Sequence, residues 1–162
     1  MLFFIVTDFA ECQSQPPVSR PAPEWARGAV WYQIFPERFR NGDPRNDPAA
    51  EDAGIQNYPN WQVSPWTSDW YKLQPWEKAK SNEFYKIVFD RRYGGDLQGV
   101  IEKLDYLQDL GIMAIYFNPI FEAESLHKYD ASSHHHIDDN FGPNPARDKT
   151  MMRAETEDPK TW

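Results

Sequence analysis

Two short apolar runs with one amphipathic helix between them predict an α/β protein whose strands lie parallel. The first run, Ala29-Val30-Trp31-Tyr32-Gln33-Ile34-Phe35, is rich in β-branched and aromatic residues and ends at Pro36. A nearly continuous apolar run of this kind predicts a strand buried on both faces. The second, Ile112-Met113-Ala114-Ile115-Tyr116-Phe117, is stopped by Asn118-Pro119. Between them Leu97, Val100, Ile101, Leu104, Leu107 and Leu110 recur at helical spacing and share one face. Asp96 is placed to cap that helix and Gly111 to end it. Strand, long excursion, helix, strand is a βαβ unit, whose crossover is right-handed.

The rest of the chain reads as connections. Residues 37–95 hold no sustained period and are full of Pro, Asn, Asp, Gly and Trp, which predicts a long decorated loop. Loops beyond roughly 12–15 residues are usually functional or disordered, and the aromatic content favours function. Residues 120–162 read as polar loop without a further strand. Pro16, Pro17, Pro21 and Pro23 make residues 13–23 a stiff, extended linker. The expected organisation is therefore a tail and linker over 1–23 and one domain over 24–162.

Composition narrows the function classes. Lys plus Arg number 17 and Asp plus Glu 25, a net charge of −8, which argues against a nucleic-acid binder. The 7 Trp, 8 Tyr and 10 Phe supply ring surface enough for a folded core. The lone Cys12 excludes an intrachain disulfide and a cysteine-based zinc site. The apolar run at 2–6 is shorter than the roughly 7–15 residues of a secretory signal core, and no stretch approaches the ~20 apolar residues of a membrane span. Location stays open.

Three constellations carry chemistry. Asn41, Asp43, Asn46 and Asp47 stand within seven residues, bent by Gly42, Pro44 and Pro48. Such oxygen donors suit a hard cation such as calcium, and equally suit Asx-turn bonding within a loop. His127 and Tyr129, two apart, share a face if extended, and together can bond a hydroxyl and stack on a sugar ring. A tyrosine packed into the core accounts for the same residues. His134, His135 and His136 are a weak zinc signal, because only alternate members share a face. Trp61, Trp66, Trp70, Tyr71 and Trp76 either form a sugar-binding surface or pin the long loop to its own domain.

Taken in order, these segments resemble one family. Val30-Trp31-Tyr32-Gln33-Ile34-Phe35-Pro36-Glu37-Arg38-Phe39 with the Asn41 to Asp47 run resembles the first barrel strand and loop of the α-amylase superfamily. The neopullulanase, cyclomaltodextrinase and α-glycosidase types are nearest. Gly94-Gly95-Asp96-Leu97-Gln98-Gly99-Val100, Leu104-Asp105-Tyr106-Leu107, Gly111, Tyr116-Phe117-Asn118-Pro119-Ile120-Phe121 and His127-Lys128-Tyr129-Asp130 follow in the family's order. The likeness covers residues 23–162.

The resemblance implies a partial (β/α)8 TIM barrel: its first two strands and first helix, with long βα loops. A closed barrel typically takes about 250 residues, more than the 162 present. It implies a structural Ca2+ held by Asn41, Asp43, Asn46 and Asp47, the Gly94 carbonyl and Asp96. It implies Tyr129 as the aromatic platform under the substrate sugar, with His127 bonding a hydroxyl. The implied substrate is an α-glucan or maltooligosaccharide, cleaved at α-1,4 or α-1,6 bonds by a retaining mechanism. That mechanism uses an Asp nucleophile and a Glu acid/base about 5–5.5 Å apart. No acidic residue here matches either, so this chain is expected to be inactive alone. The alternatives are a non-catalytic α-glucan-binding module and one piece of a split enzyme. After Asp130, Ala131-Ser132-Ser133-His134 replaces the family's Thr-x-Asp-Tyr pattern, which leaves the fine positioning of that loop open.

Overall fold

The computed structural model describes residues 21–55, 58–156 and 158–161. The apolar run at 2–6, Cys12 and residues 13–20 of the expected linker lie outside the described residues. Strand β1 (Trp31–Ile34) opens the fold, and its end leads through a 3-10 turn into the Asn/Asp-rich loop. The long excursion that follows holds two short helices, α1 (Pro75–Lys80) and α2 (Phe84–Ile87). Gln74 donates its backbone N–H to Glu77 Oε2 at 2.5 Å and so caps α1. The stretch read as unbroken loop is thus partly helical, in pieces too short to carry a period.

Where one helix is expected, two occur: α3 (Leu97–Ile101) and α4 (Leu104–Asp109). At the break the Lys103 N–H reaches back only three residues, to Val100 O at 3.0 Å. Most of a helix's stability comes from its packed face. Here Val100 and Leu107 are buried against Ile34, whereas Ile101, Leu104 and Leu110 are exposed. Each half keeps one anchor, and no continuous stripe forms. Gly111, at φ +82°, ends α4 as expected.

Strand β2 (Ala114–Phe117) returns beside β1 in parallel, with partners Trp31↔Ala114 to Ile34↔Phe117. The parallel pair is as expected; burial on both faces is not. Ile34 is buried, but Trp31 and Gln33 are exposed, because the helix covers only one face of this two-stranded sheet.

Beyond β2 the expectation of strandless loop is overturned. β3 (Phe121–Glu122) and β4 (Ser133–Ile137) form an antiparallel hairpin with a register shift, followed by α5 (Pro145–Ala154). The run Ser-His-His-His-Ile has no apolar alternation, so its strand is invisible to period analysis. Asn144, whose side chain accepts the Arg147 N–H at 3.1 Å, and Pro145 at the first helical position are a start signal present in the sequence. No helix among the described residues is long and apolar enough to cross a membrane.

Candidate functional site

The C-terminal ends of the two parallel strands are tied across by Gln33 Nε2, which donates to Asn118 Oδ1 at 2.5 Å. Beside them lies an open groove of about 320 Å³ lined by Tyr116, Phe117, Pro119, Phe121, Tyr129 and His134, among others. His127 and Tyr129 do come together, with ring centroids 5.8 Å apart and tilted by 55°, and Tyr129 lines the groove. Tyr129 is 65% exposed, which removes the reading of a core-packed tyrosine.

The His127 tautomer follows from its partners. The Tyr129 backbone N–H donates to His127 Nδ1 at 3.2 Å, and a backbone amide can only donate. In the neutral ring the proton therefore sits on Nε2, free to donate outward. Ser125 organises the loop: its hydroxyl meets Asp130 Oδ1 and His127 Nδ1 and accepts the Lys128 N–H. The Ser125 hydrogen bond holds the Asp130 carboxyl below its usual range.

Between the two rings stands a residue that sequence reasoning passed over. Lys128 is 6% exposed and has φ +59°. Its ammonium contacts Asp138 Oδ2 at 2.6 Å and donates to Ala123 O at 2.6 Å. Asp138 also accepts the Ala123 and Asn140 N–H groups, and Glu122 Oε2 accepts the Asp139 N–H. Lys149 spans Asp139 and Asp52. Carboxylate oxygens of Glu122, Asp138 and Asp139 lie within 4.8 Å of one another. Burial first, then the Asp138 charge, pushes the Glu122 carboxyl up to about 7. These acids hold the hairpin and its turn, and two lysines already neutralise them in part.

The Asn/Asp loop folds onto residues 91–96. Glu37 Oε1 accepts the Tyr93 and Gly94 N–H groups, and its own carbonyl accepts Gly95 N–H at 2.8 Å. Burial pushes the Glu37 carboxyl up to about 7. Asp96, fully buried, accepts Gly99 N–H at the start of α3 at 2.5 Å, Gly42 N–H at 3.1 Å and Asp43 N–H at 2.8 Å. It therefore caps the helix and stitches on the loop at once, through direct amide bonds.

Asn41 Nδ2 donates to Asp47 Oδ1 at 2.5 Å, and Gly94 lies against both. A Cβ on Gly94 would fall 2.3 Å from Asp47 Oδ1, and its φ of +69° independently calls for glycine. The Asn41 and Asn46 Oδ1 atoms are buried and accept no hydrogen bond. Burial raises the Asp47 carboxyl pKa, and the charges of Asp96 and Asp43 add to the rise. Asp43 differs from the rest: its carboxylate is taken by Arg45, with Nε and Nη2 both at 2.7 Å.

The tryptophans mostly pin the excursion. Trp76 is buried against Tyr58 and Trp61, and Trp70 stacks on Tyr93. Beneath them Arg91, fully buried, pairs with Glu77 and donates to the Trp70 and Lys72 carbonyls. Trp66 and Tyr71 remain exposed. Among the described residues no Asp, Glu or Cys joins His134, His135 or His136 in a metal-like cluster; His136 meets Glu155 instead.

Comparison with known proteins agrees with this arrangement. Residues 33–160 match the family described as "Alpha amylase, catalytic domain". A cyclomaltodextrinase from Thermoanaerobacter pseudethanolicus is 45% identical over 121 residues, which are 75% of this chain and 16% of that protein. Neopullulanase 2 from Thermoactinomyces vulgaris is 46% identical over 123 residues, 76% of this chain and 16% of that protein. The chain thus spans about a sixth of the length of these relatives. Among solved structures, cyclic α-maltosyl-(1→6)-maltose hydrolase from Arthrobacter globiformis, in complex with maltose, superposes with a TM-score of 0.50 at 40% identity. That match covers 74% of this chain and 21% of the other. The type III pullulan hydrolase from Thermococcus kodakarensis superposes with a TM-score of 0.53 at 35% identity, over 73% and 19% respectively. The fold these neighbours share is that of the family's TIM barrel, of which this structure holds two parallel strands. The chain belongs to the α-amylase catalytic-domain family.

Proposed function

We propose that residues 24–162 supply the N-terminal part of an α-glucan-hydrolysing barrel, carrying one sugar subsite and a structural calcium loop. The observation that supports it best is the exposed Tyr129 ring, paired with His127, on an aromatic groove at the C-terminal ends of the parallel strands, where barrel active sites lie. Tyr129 stacks under the C–H face of a glucosyl unit, and His127 donates Nε2–H to a hydroxyl. Retaining hydrolysis needs two carboxyl groups about 5–5.5 Å apart across the glycosidic bond. No carboxylate lines this groove. By itself the 162-residue chain binds maltooligosaccharides without cleaving them.

Titrating the chain with maltotriose by calorimetry tests this. A single subsite predicts a millimolar Kd, about −4 kcal/mol, and Tyr129→Ala weakens it at least about tenfold, the lost stacking being worth about 1.4 kcal/mol or more. Undiminished binding by Tyr129→Ala removes the subsite; glucose release from maltoheptaose by the wild-type chain removes the claim of inactivity.

The loop residues fit a hard cation. Two buried amide oxygens without hydrogen bonds, an Asp47 carboxylate crowded by like charges, and a glycine-only approach are what oxygen coordination requires. Asn41, Asn46, Asp47, Asp96 and the Gly94 carbonyl would hold it, and Asp43 would join by leaving Arg45. Bound there, calcium supplies the positive charge that fastens the loop after β1 to the start of α3. Millimolar CaCl2 then raises the melting temperature relative to EDTA, and Asp47→Asn abolishes most of that increment. An equal melting temperature in both solutions removes the site.

A further inference from the structure

We propose that Lys128 is a positioning residue: its buried contact with Asp138 turns the backbone so that the His127 and Tyr129 rings stand exposed side by side, with Tyr129 on the groove. The proposal rests on reading those two rings as the sugar-binding pair. Three adjacent residues here do opposite things, two rings outward and one cation inward. The reversal occurs at Lys128, whose φ of +59° lies in the left-handed region that residues bearing a Cβ rarely occupy. Such a conformation persists only where the surroundings over-determine it.

They do. The ammonium is held by Asp138 Oδ2 and the Ala123 carbonyl, each at 2.6 Å, and lies 5.5 Å from the Phe141 ring centroid. Asp138 is fixed in turn: its own N–H donates to Ile120 O at 2.9 Å, and its carboxylate accepts two backbone amides. One lysine thus fastens the sugar loop to the strand that leaves the barrel sheet and to the turn after β4. The Ser125 bonds order the loop internally, and among the described residues only Lys128 references it to the rest of the molecule by a buried ionic contact.

The test uses the 162-residue chain, maltotriose as probe, and three variants. Lys128→Met keeps the methylene stem but leaves the Asp138 carboxylate buried and unpaired, so stability and binding both fall. Lys128→Gly relieves the backbone while removing the anchor, and binds no better than Lys128→Met. The double variant Lys128→Met with Asp138→Asn removes both charges, so its melting temperature returns towards wild type. Maltotriose affinity nevertheless stays at least tenfold down, and the NOE between His127 and Tyr129 ring protons disappears. A folded double variant with wild-type affinity and an intact NOE overturns the proposal. So does an affinity that simply follows melting temperature across the three variants. Should wild type show the NOE but no maltotriose binding, the sugar-site reading falls alone, and loss or retention of the NOE in the double variant decides the role of Lys128.

Discussion

Lys128 and Gly94 occupy the same left-handed region of backbone space for different reasons. Gly94 adopts it freely because it has no Cβ, and a side chain there would in addition collide with Asp47 and Asn41; Lys128 is held there by its buried side chain. Glu122, beside the Lys128 anchor, shows how burial is exchanged for pH sensitivity. Its carboxyl titrates near 7 in the fold, above the ordinary 4.5, so the folded state holds the proton more tightly than the unfolded chain. Its contribution to stability is fully present below about pH 4.5 and is lost as the pH rises through 7. Glu122→Gln keeps an acceptor for the Asp139 N–H without the charge. It should flatten the melting-temperature profile between pH 4.5 and 7 and raise the melting temperature at pH 8. Thermal scans from pH 4 to 8 check it; an unchanged slope would show that Glu122 ionises freely in the fold.

At the scale of elements, the broken helix is the informative one. A stripe of apolar residues predicts one helix, but a stripe is stabilising only along the length that has something to lie on. The core under β1 and β2 buries Val100 and Leu107 and leaves Leu104 and Leu110 exposed. Truncation should therefore be strongly position-dependent along a seemingly uniform face. Leu107→Ala, at 2% exposure, is expected to cost about 2–5 kcal/mol. Leu110→Ala, at 54% exposure, should cost about 0.5 kcal/mol or less. Urea unfolding of both variants decides it, and equal costs would mean that Leu110 is covered in solution. The hairpin β3–β4 makes the complementary point. Its one apolar pair, Phe121 with Ile137, is flanked by polar residues held by Asp138, Glu122 and backbone bonds, so no apolar alternation marks it.

For the whole molecule, the exposed aliphatic and aromatic side chains of Val30, Trp31, Ile101, Leu104, Leu110 and Met113 are the counterpart of the narrow sheet. A two-stranded parallel sheet with a helix on one face leaves apolar surface and strand edges open, which favours self-association. The concentrated chain should associate reversibly, and the double variant Leu110→Lys with Met113→Lys should sediment closer to a monomer over the same concentration range. Identical sedimentation of the two would show that this face is not sticky.

The sequence by itself determined the family and the parallel βαβ unit, and it named most of the candidate site residues, though not Lys128. Those features rest on local chemistry: apolar runs, helical spacing, Asn/Asp and glycine placement, and aromatic neighbours read in order. Only the tertiary structure decided that the helix divides and that a hairpin follows β2. It also decided that His127 and Tyr129 face outward about an inward Lys128. These depend on which side chains meet once the backbone is folded, such as Lys128 with Asp138 and Val100 and Leu107 with Ile34, and neither periodicity nor residue type encodes that meeting.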